Sequence, residues 1–289
     1  MSRIHVITGA GSGIGAATAE MIRAKGETVI GVDLRNSDVT ADLSTVEGRE
    51  AAVAGVLEAS GGTVDTVIAC AGISAASPAT VSVNYHGVTE FVEALRPTLA
   101  QSEAPRVAVM SSMSSLQPND PQLVQELLTG TEEKARARAE ELAADEATGA
   151  QIYASTKRAL SVWVRQRSVT PDWAGAGIPL NAVAPGVVTT PMTKELMSSE
   201  ESVKYLEAVV PMPLNHFQPP ESIANLLIWL TSVENTHCAG QTIYCDGGAD
   251  VVLRGEDAWS WADPRVNEYF AKLTSGAGQA EPADGTPEG

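Results

Sequence analysis

Basic residues, aromatics, cysteines and long apolar runs are all scarce in this 289-residue chain, and each scarcity removes a class of function. Only 19 Lys and Arg stand against 36 Asp and Glu, a formal net charge of −17. A surface of that sign repels phosphates, so neither nucleic acid nor an anionic membrane is expected as a partner. Aromatic residues supply 4% of the chain although 44% of it is hydrophobic. The core must then be aliphatic, as in parallel sheets rich in Val, Ile and Ala. Cys70, Cys238 and Cys245 lack metal-ligand spacing, and His5, His86, His216 and His237 form no cluster along the chain, so no metal is expected. No apolar run reaches the roughly 20 residues of a membrane span. The opening MSRIHVITGAG has no apolar core of a secretory leader, and a reducing cytoplasm is the expected setting.

What the chain does have is alternation. Apolar runs of strand length (Arg3 to Thr8, Thr28 to Asp33, Val39 to Asp42, Val64 to Ala69, Arg106 to Ser111, Ile178 to Val183, Gln241 to Cys245) interleave with segments of helical period. Those helical segments are Gly13 to Lys25, Val46 to Ser60, Val81 to Leu99, Ile152 to Ser168 and Glu221 to Leu230. The pattern predicts an α/β fold: a single doubly wound parallel sheet of the Rossmann type, with helices on both faces. Two stretches break the rhythm. Residues 116–150, containing TEEKARARAEELAADEA, read as a helical insertion packed on the outside. Residues 251–289 read as a C-terminal extension, in which Trp259, Trp261, Tyr269 and Phe270 offer docking contacts. Its final TSGAGQAEPADGTPEG is expected to be disordered. Residues 1–250 then form the main domain.

Three motifs carry chemistry. Gly9, Gly13 and Gly15, with Ser12 and Ile14 between them, form a GxxxGxG turn between the first strand and the first helix. Glycines there bring the backbone close to a pyrophosphate at a helix N-terminus. Asp33, ending the second strand, suits the ribose hydroxyls of NAD and repels the extra phosphate of NADP. Arg35, two residues on, weighs slightly against that choice. Tyr153 and Lys157 lie four residues apart on one face of a helix. A phenol titrating near ~10 becomes a usable base when a cation stands beside it.

Together these motifs strongly resemble the short-chain dehydrogenase/reductase family from about Arg3 to Gly248, nearest the bacterial 3α-hydroxysteroid dehydrogenase/carbonyl reductase subgroup. The subgroup resemblance includes Ala41 to Thr45 and Val81 to Asn84. It implies that Asp42 and Leu43 bracket the adenine and that Ala71 and Gly72 serve through their backbone, with Cys70 where the family usually has asparagine. It further implies that Asn84 orients a water joined to Lys157, and that Ser112 is the catalytic serine among its neighbours Ser111, Ser114 and Ser115. Asn181 through Pro185-Gly186 to Thr190-Pro191-Met192, with Val188, resembles the segment that holds the nicotinamide carboxamide. Asp246-Gly247-Gly248 resembles the closing turn. The separation of 40 residues between Ser112 and Tyr153 departs from the family's usual dozen and is accounted for by the insertion.

The expected activity is interconversion of a secondary alcohol and its ketone with NAD, Ser112, Tyr153, Lys157 and Asn84 being the catalytic set. Residues 190–220 correspond to the family's substrate lid. Met192, Leu196, Met197, Val203, Tyr205, Leu206, Met212, Leu214 and Phe217 make that stretch apolar, although about half of them suit packing instead. A small hydrophobic substrate such as a steroid or terpenoid follows. The rival readings are a non-catalytic NAD-binding sensor or scaffold, and a nucleotide-sugar epimerase or dehydratase, which needs a larger C-terminal domain. A homo-oligomer, dimer or tetramer, is expected, with the insertion covering the helix that bears Tyr153.

Overall fold

Among the described residues, seven short apolar segments pair in parallel: Ile4–Thr8 (β1), Thr28–Asp33 (β2), Val39–Thr40 (β3), Thr66–Ala69 (β4), Arg106–Met110 (β5), Leu180–Pro185 (β6) and Thr242–Cys245 (β7). The computed structural model describes residues 2–194, 197–214 and 217–274. Strand order is β3-β2-β1-β4-β5-β6-β7, so the chain reverses direction across the sheet between β1 and β4. Side chains alternate between faces along each strand. Val6, Val67, Val107 and Val109 join one core cluster, while Ile7, Ile68 and Ala108 join a second. Both faces are therefore buried, and the strands read as continuous apolar runs rather than alternating ones.

Helices Gly13–Ala24 (α1) and Pro220–Thr231 (α9) cover the Ile7 face. The Val6 face is covered by Val46–Ala59 (α2), Gly87–Leu99 (α4) and Glu146–Arg167 (α7). Helical structure before α4 begins at Pro78–Val81 (α3) and passes through a π turn, Ser82–His86. Pro97 does not end α4, which runs to Leu99; the ring sits in the last turns, where the chain tolerates it.

The insertion is helical and packs one face on the core. It forms Pro121–Thr129 (α5) and Glu132–Ala143 (α6), and Leu123, Leu127, Ala135, Ala139 and Leu142 are buried in the same cluster as the Val6 face. The charged residues of TEEKARARAEELAADEA disguise a narrow apolar stripe in which alanines let α6 approach closely. α7 also begins six residues earlier than the periodicity suggests, at Glu146. Its cap explains why: the Asp145 carboxylate accepts from the N–H groups of Ala147 and Thr148. Asp120 and Thr131 cap α5 and α6 in the same way, through Leu123 and Lys134.

After β6, Glu200–Val209 (α8) lies in the expected lid stretch, and Ala249–Arg254 (α10) follows the closing turn. The chain divides into two compact units, Met1–Asp250 and Val251–Gly289. In the second, Asp263–Thr274 (α11) carries an edge-to-face pair, Tyr269 and Phe270, and both rings are exposed, as is Trp259. The expected disordered tail, apart from Thr274, lies outside the described residues, as do Leu196 and His216. No described helix is long and apolar enough to cross a membrane.

Candidate active site

The strand reversal opens a cleft at the C-terminal ends of β1 and β4, the place where such sheets hold ligands. A cavity of about 290 Å³ lies there. Gly9, Ser12, Gly13, Ile14, Asp33, Asp42, Leu43, Ala71, Gly72, Ser112, Tyr153, Lys157, Val188 and Thr190 all line it. Asn84 does not; it is fully buried directly behind the wall. The sequence also left out lining residues with no chemical signature, among them Leu34, Ile73, Val83 and Met110. Only the exposed apolar Leu34, directly after Asp33, carried a readable signal.

The glycine loop has the shape a dinucleotide requires. A Cβ on Gly15 would stand 2.2 Å from the carbonyl oxygen of Gly9, and one on Gly9 would meet the Ala71 nitrogen at 2.9 Å. Gly9 and Gly13 both adopt positive φ, 70° and 56°. Ser12 precedes α1 without a side-chain cap, unlike the residues preceding α2, α5, α6 and α7, so the first N–H groups of α1 keep their hydrogen-bonding capacity for an anion. Asp33 is held at the far end by two backbone donors, Gly11 N–H at 2.9 Å and Leu34 N–H at 2.7 Å. These residues fit a nicotinamide dinucleotide along the whole length of the cleft.

At the other end of the cleft the structure separates the four serines. Ser111 hydrogen-bonds the Lys157 carbonyl (3.1 Å) and Ser161 (2.8 Å), which ties it into α7. Ser115 reaches Tyr244 (3.0 Å), and the Ser114 N–H donates to Ser112 Oγ (3.1 Å). The Ser112 side chain lies beside the Tyr153 hydroxyl, near enough to favour its ionised form, and both line the cavity. Lys157 is buried behind this pair, with Nζ 5.6 Å from the Tyr153 ring centre and donating to the Met110 carbonyl at 2.7 Å.

Electrostatics here differ from the simple expectation. Burial pushes the Tyr153 phenol above its ordinary value, and the neighbouring Ser112 hydroxyl draws it back only in part. Burial also lowers the Lys157 ammonium, from 10.5 to about 8. Cys70, at the cavity floor, is pushed up to about 12 by burial and stays a thiol. Asn84 accepts from the Ile73 N–H and donates to the Ile73 carbonyl, both at 2.8 Å, and lies 3.4 Å from Thr156 Oγ1. A Cβ on Gly72 would be 3.3 Å from Asn84 Oδ1 and 3.6 Å from Lys157 Nζ, which puts both groups around one glycine.

The buried ammonium of Lys157 predicts a pH signature in stability. Below pH 8 the folded state carries the whole cost of burying the charge. Between the folded value of about 8 and the unfolded 10.5, the unfolded chain holds the proton that the folded one has released, so stability rises with pH. Relative to Lys157→Met, the parent protein should gain up to about 3 kcal/mol across that window at about 1.4 kcal/mol per unit. Urea unfolding of both proteins at about pH 7, 9 and 10.5 measures it. A stability difference independent of pH would show that Lys157 titrates normally.

In the expected lid, Met192 is exposed at the cavity, whereas Met212, Leu206 and Phe217 pack with Met113 and Val187 into a small core of their own. Packing thus claims a large share of the apolar stretch.

Comparison with known proteins agrees with this architecture. Residues 3–124 match the family described as short chain dehydrogenase, and residues 141–250 match that described as enoyl-(acyl carrier protein) reductase. The chain is 37% identical over 87% of its length to the 3-alpha-hydroxysteroid dehydrogenase/carbonyl reductase of Comamonas testosteroni, 98% of which is covered. It is 26% identical to the 3-oxoacyl-[acyl-carrier-protein] reductase FabG of Thermotoga maritima, over 85% of this chain and 97% of that one. The crystal structure of the 3-alpha-hydroxysteroid dehydrogenase from Pseudomonas sp. B-0831, complexed with NADH, superposes with a TM-score of 0.78 at 35% identity, covering 88% and 99% of the two chains. With matches spanning both halves of the sheet and the cleft between them, the chain belongs to the short-chain dehydrogenase/reductase family of oxidoreductases.

Proposed function

We propose that this protein interconverts a hydrophobic secondary alcohol and its ketone, using NAD(H). The observation that carries the reading is the gathering of Ser112, Tyr153 and Lys157 in one cavity, with Asp33 at its far end. When bound, NAD supplies the hydride acceptor or donor. The chain does the rest. Ser112 hydrogen-bonds the substrate oxygen and orients it toward Tyr153. In the oxidative direction Tyr153 takes the hydroxyl proton; in the reductive direction it returns one. The Lys157 ammonium lies behind the phenol, and Asn84 lies close enough to support a proton path to it through water.

The relatives named 3-alpha-hydroxysteroid dehydrogenase, and the NADH in one of their structures, support both the cofactor and a ring-bearing substrate. Val188 and Met192 give the cavity mouth an apolar lining suited to a steroid or terpenoid. Homo-oligomerisation belongs to the same reading. α5 packs on α7, so the insertion takes up helix surface and directs assembly to other elements.

A panel of steroid, terpene and aryl alcohols with NAD, followed as NADH absorbance, tests the proposal. Turnover of at least one cyclic apolar alcohol is expected, faster than that of any charged sugar. NADH binding without turnover across the panel would favour a sensor, and faster turnover of charged sugars would overturn the substrate class alone.

A further inference from the structure

Asn84 occupies the middle of the π turn, Ser82–His86, and the turn is gripped at both ends by charged side chains. Ser82 is fully buried, and its Oγ accepts from Arg136 Nη1 of α6 at 2.6 Å. Glu132, also on α6, brings a carboxylate oxygen within 4.8 Å of a His86 ring nitrogen. Glu132 accepts from Arg49 Nη2 at 2.6 Å, and Arg49 pairs with Glu90 at 2.7 Å. Glu90 then meets His86 Nδ1, at the turn's other end, at 3.1 Å. The carboxylates of Glu90 and Glu132 are thus both paired with a cation, the buried guanidinium of Arg49.

Hydrogen bonds with an i→i+5 pattern are rare in helices and persist only where tertiary contacts enforce them. Relaxation of this turn to an ordinary α-helix would shift the register by one residue and rotate Asn84 by about 100° about the helix axis. Its two bonds to Ile73 would then be lost, and with them its place beside Lys157. Arg136 and Glu132 touch nothing in the cavity, yet they fasten the residue that fixes this register.

We propose that Arg136 and Glu132 are positioning residues: the insertion helix α6 braces the π turn, Arg136 through Ser82 at one end and Glu132 through Arg49, Glu90 and His86 at the other, and so holds Asn84 in place for proton transfer. The inference rests on the Tyr153 chemistry proposed above.

The test uses the full-length protein with NADH and the best ketone of the panel. Arg136→Ala should lower kcat about tenfold, since small misplacements of catalytic groups carry penalties of that order or more. The pH profile of kcat should shift, while NADH affinity stays within about twofold, because cofactor contacts are untouched. Arg136→Lys, able to donate to Ser82, should recover part of the loss. Arg138→Ala is the control: it removes ion pairs to Asp120 and Glu141 on the same helix without touching the turn, and should leave kcat and its pH profile unchanged. If Arg136→Ala fails to fold, Ser82→Ala and Arg136→Lys carry the same readouts. Unchanged kcat and pH profile in Arg136→Ala, or in Ser82→Ala, would overturn the brace. So would an equal loss in Arg138→Ala at an equal fall in melting temperature, which would mean general loosening of α6. Tyr153→Phe, run alongside, separates the two claims: substantial turnover there removes the underlying reading whatever Arg136→Ala does.

Discussion

Replacing Tyr153 with phenylalanine is expected to reduce turnover about 10³-fold while NADH still binds, the loss typical of removing a positioned acid–base group. The ring stays and the packing stays. What disappears is the hydroxyl that stands beside Ser112 in the cavity. The rest of the cleft offers no substitute: Cys70 is held as a thiol by burial, and Lys157 donates to the Met110 carbonyl. Steady-state rates with a ketone from the panel, together with NADH fluorescence titration, provide the measurement. Retention of most activity would mean that another group moves the proton.

A preference for NAD over NADP of about 100-fold in kcat/KM is the second large effect, since opposing like charges costs several kcal/mol. Gly11 and Leu34 N–H groups hold both Asp33 oxygens, so the carboxylate cannot swing away from an added phosphate without giving up two hydrogen bonds. Arg35 is exposed and does not line the cavity, whereas Asp33 does. Asp33→Ala should narrow the preference from both sides, weakening NAD and admitting NADP. Comparing kcat/KM for the two cofactors before and after substitution decides the matter. An NADP preference in the parent protein would assign control of the pocket to Arg35.

Much of this was legible before any coordinates. Strand and helix period, the glycine turn after the first strand, Asp33 at a strand end and the Tyr153–Lys157 spacing are local signals, each written within a few consecutive residues. They were enough to predict a parallel doubly wound sheet and a cleft with a cofactor end and a catalytic end. The caps of the insertion were equally local, in Asp120-Pro121, Thr131-Glu132 and Asp145-Glu146.

Other features depended on what lies opposite. The burial of Leu123, Leu127, Ala135 and Ala139 reflects the core that α5 and α6 meet, which no charge count of the insertion could disclose. The choice of Ser112 over three neighbouring serines was fixed by partners 41 to 129 residues away. The π turn around Asn84 looks like plain helix in the sequence, because the groups that meet it, Ile73 and Arg136, lie elsewhere in the chain. Burial also shifted both titrating groups, raising Tyr153 and lowering Lys157, since desolvation depends on every atom packed around a group. The sequence by itself determined the fold and the chemical groups through short-range periodicity and motif spacing. Only the tertiary structure decided which groups meet and in what charge state, because contact and desolvation are set by residues far apart in the chain.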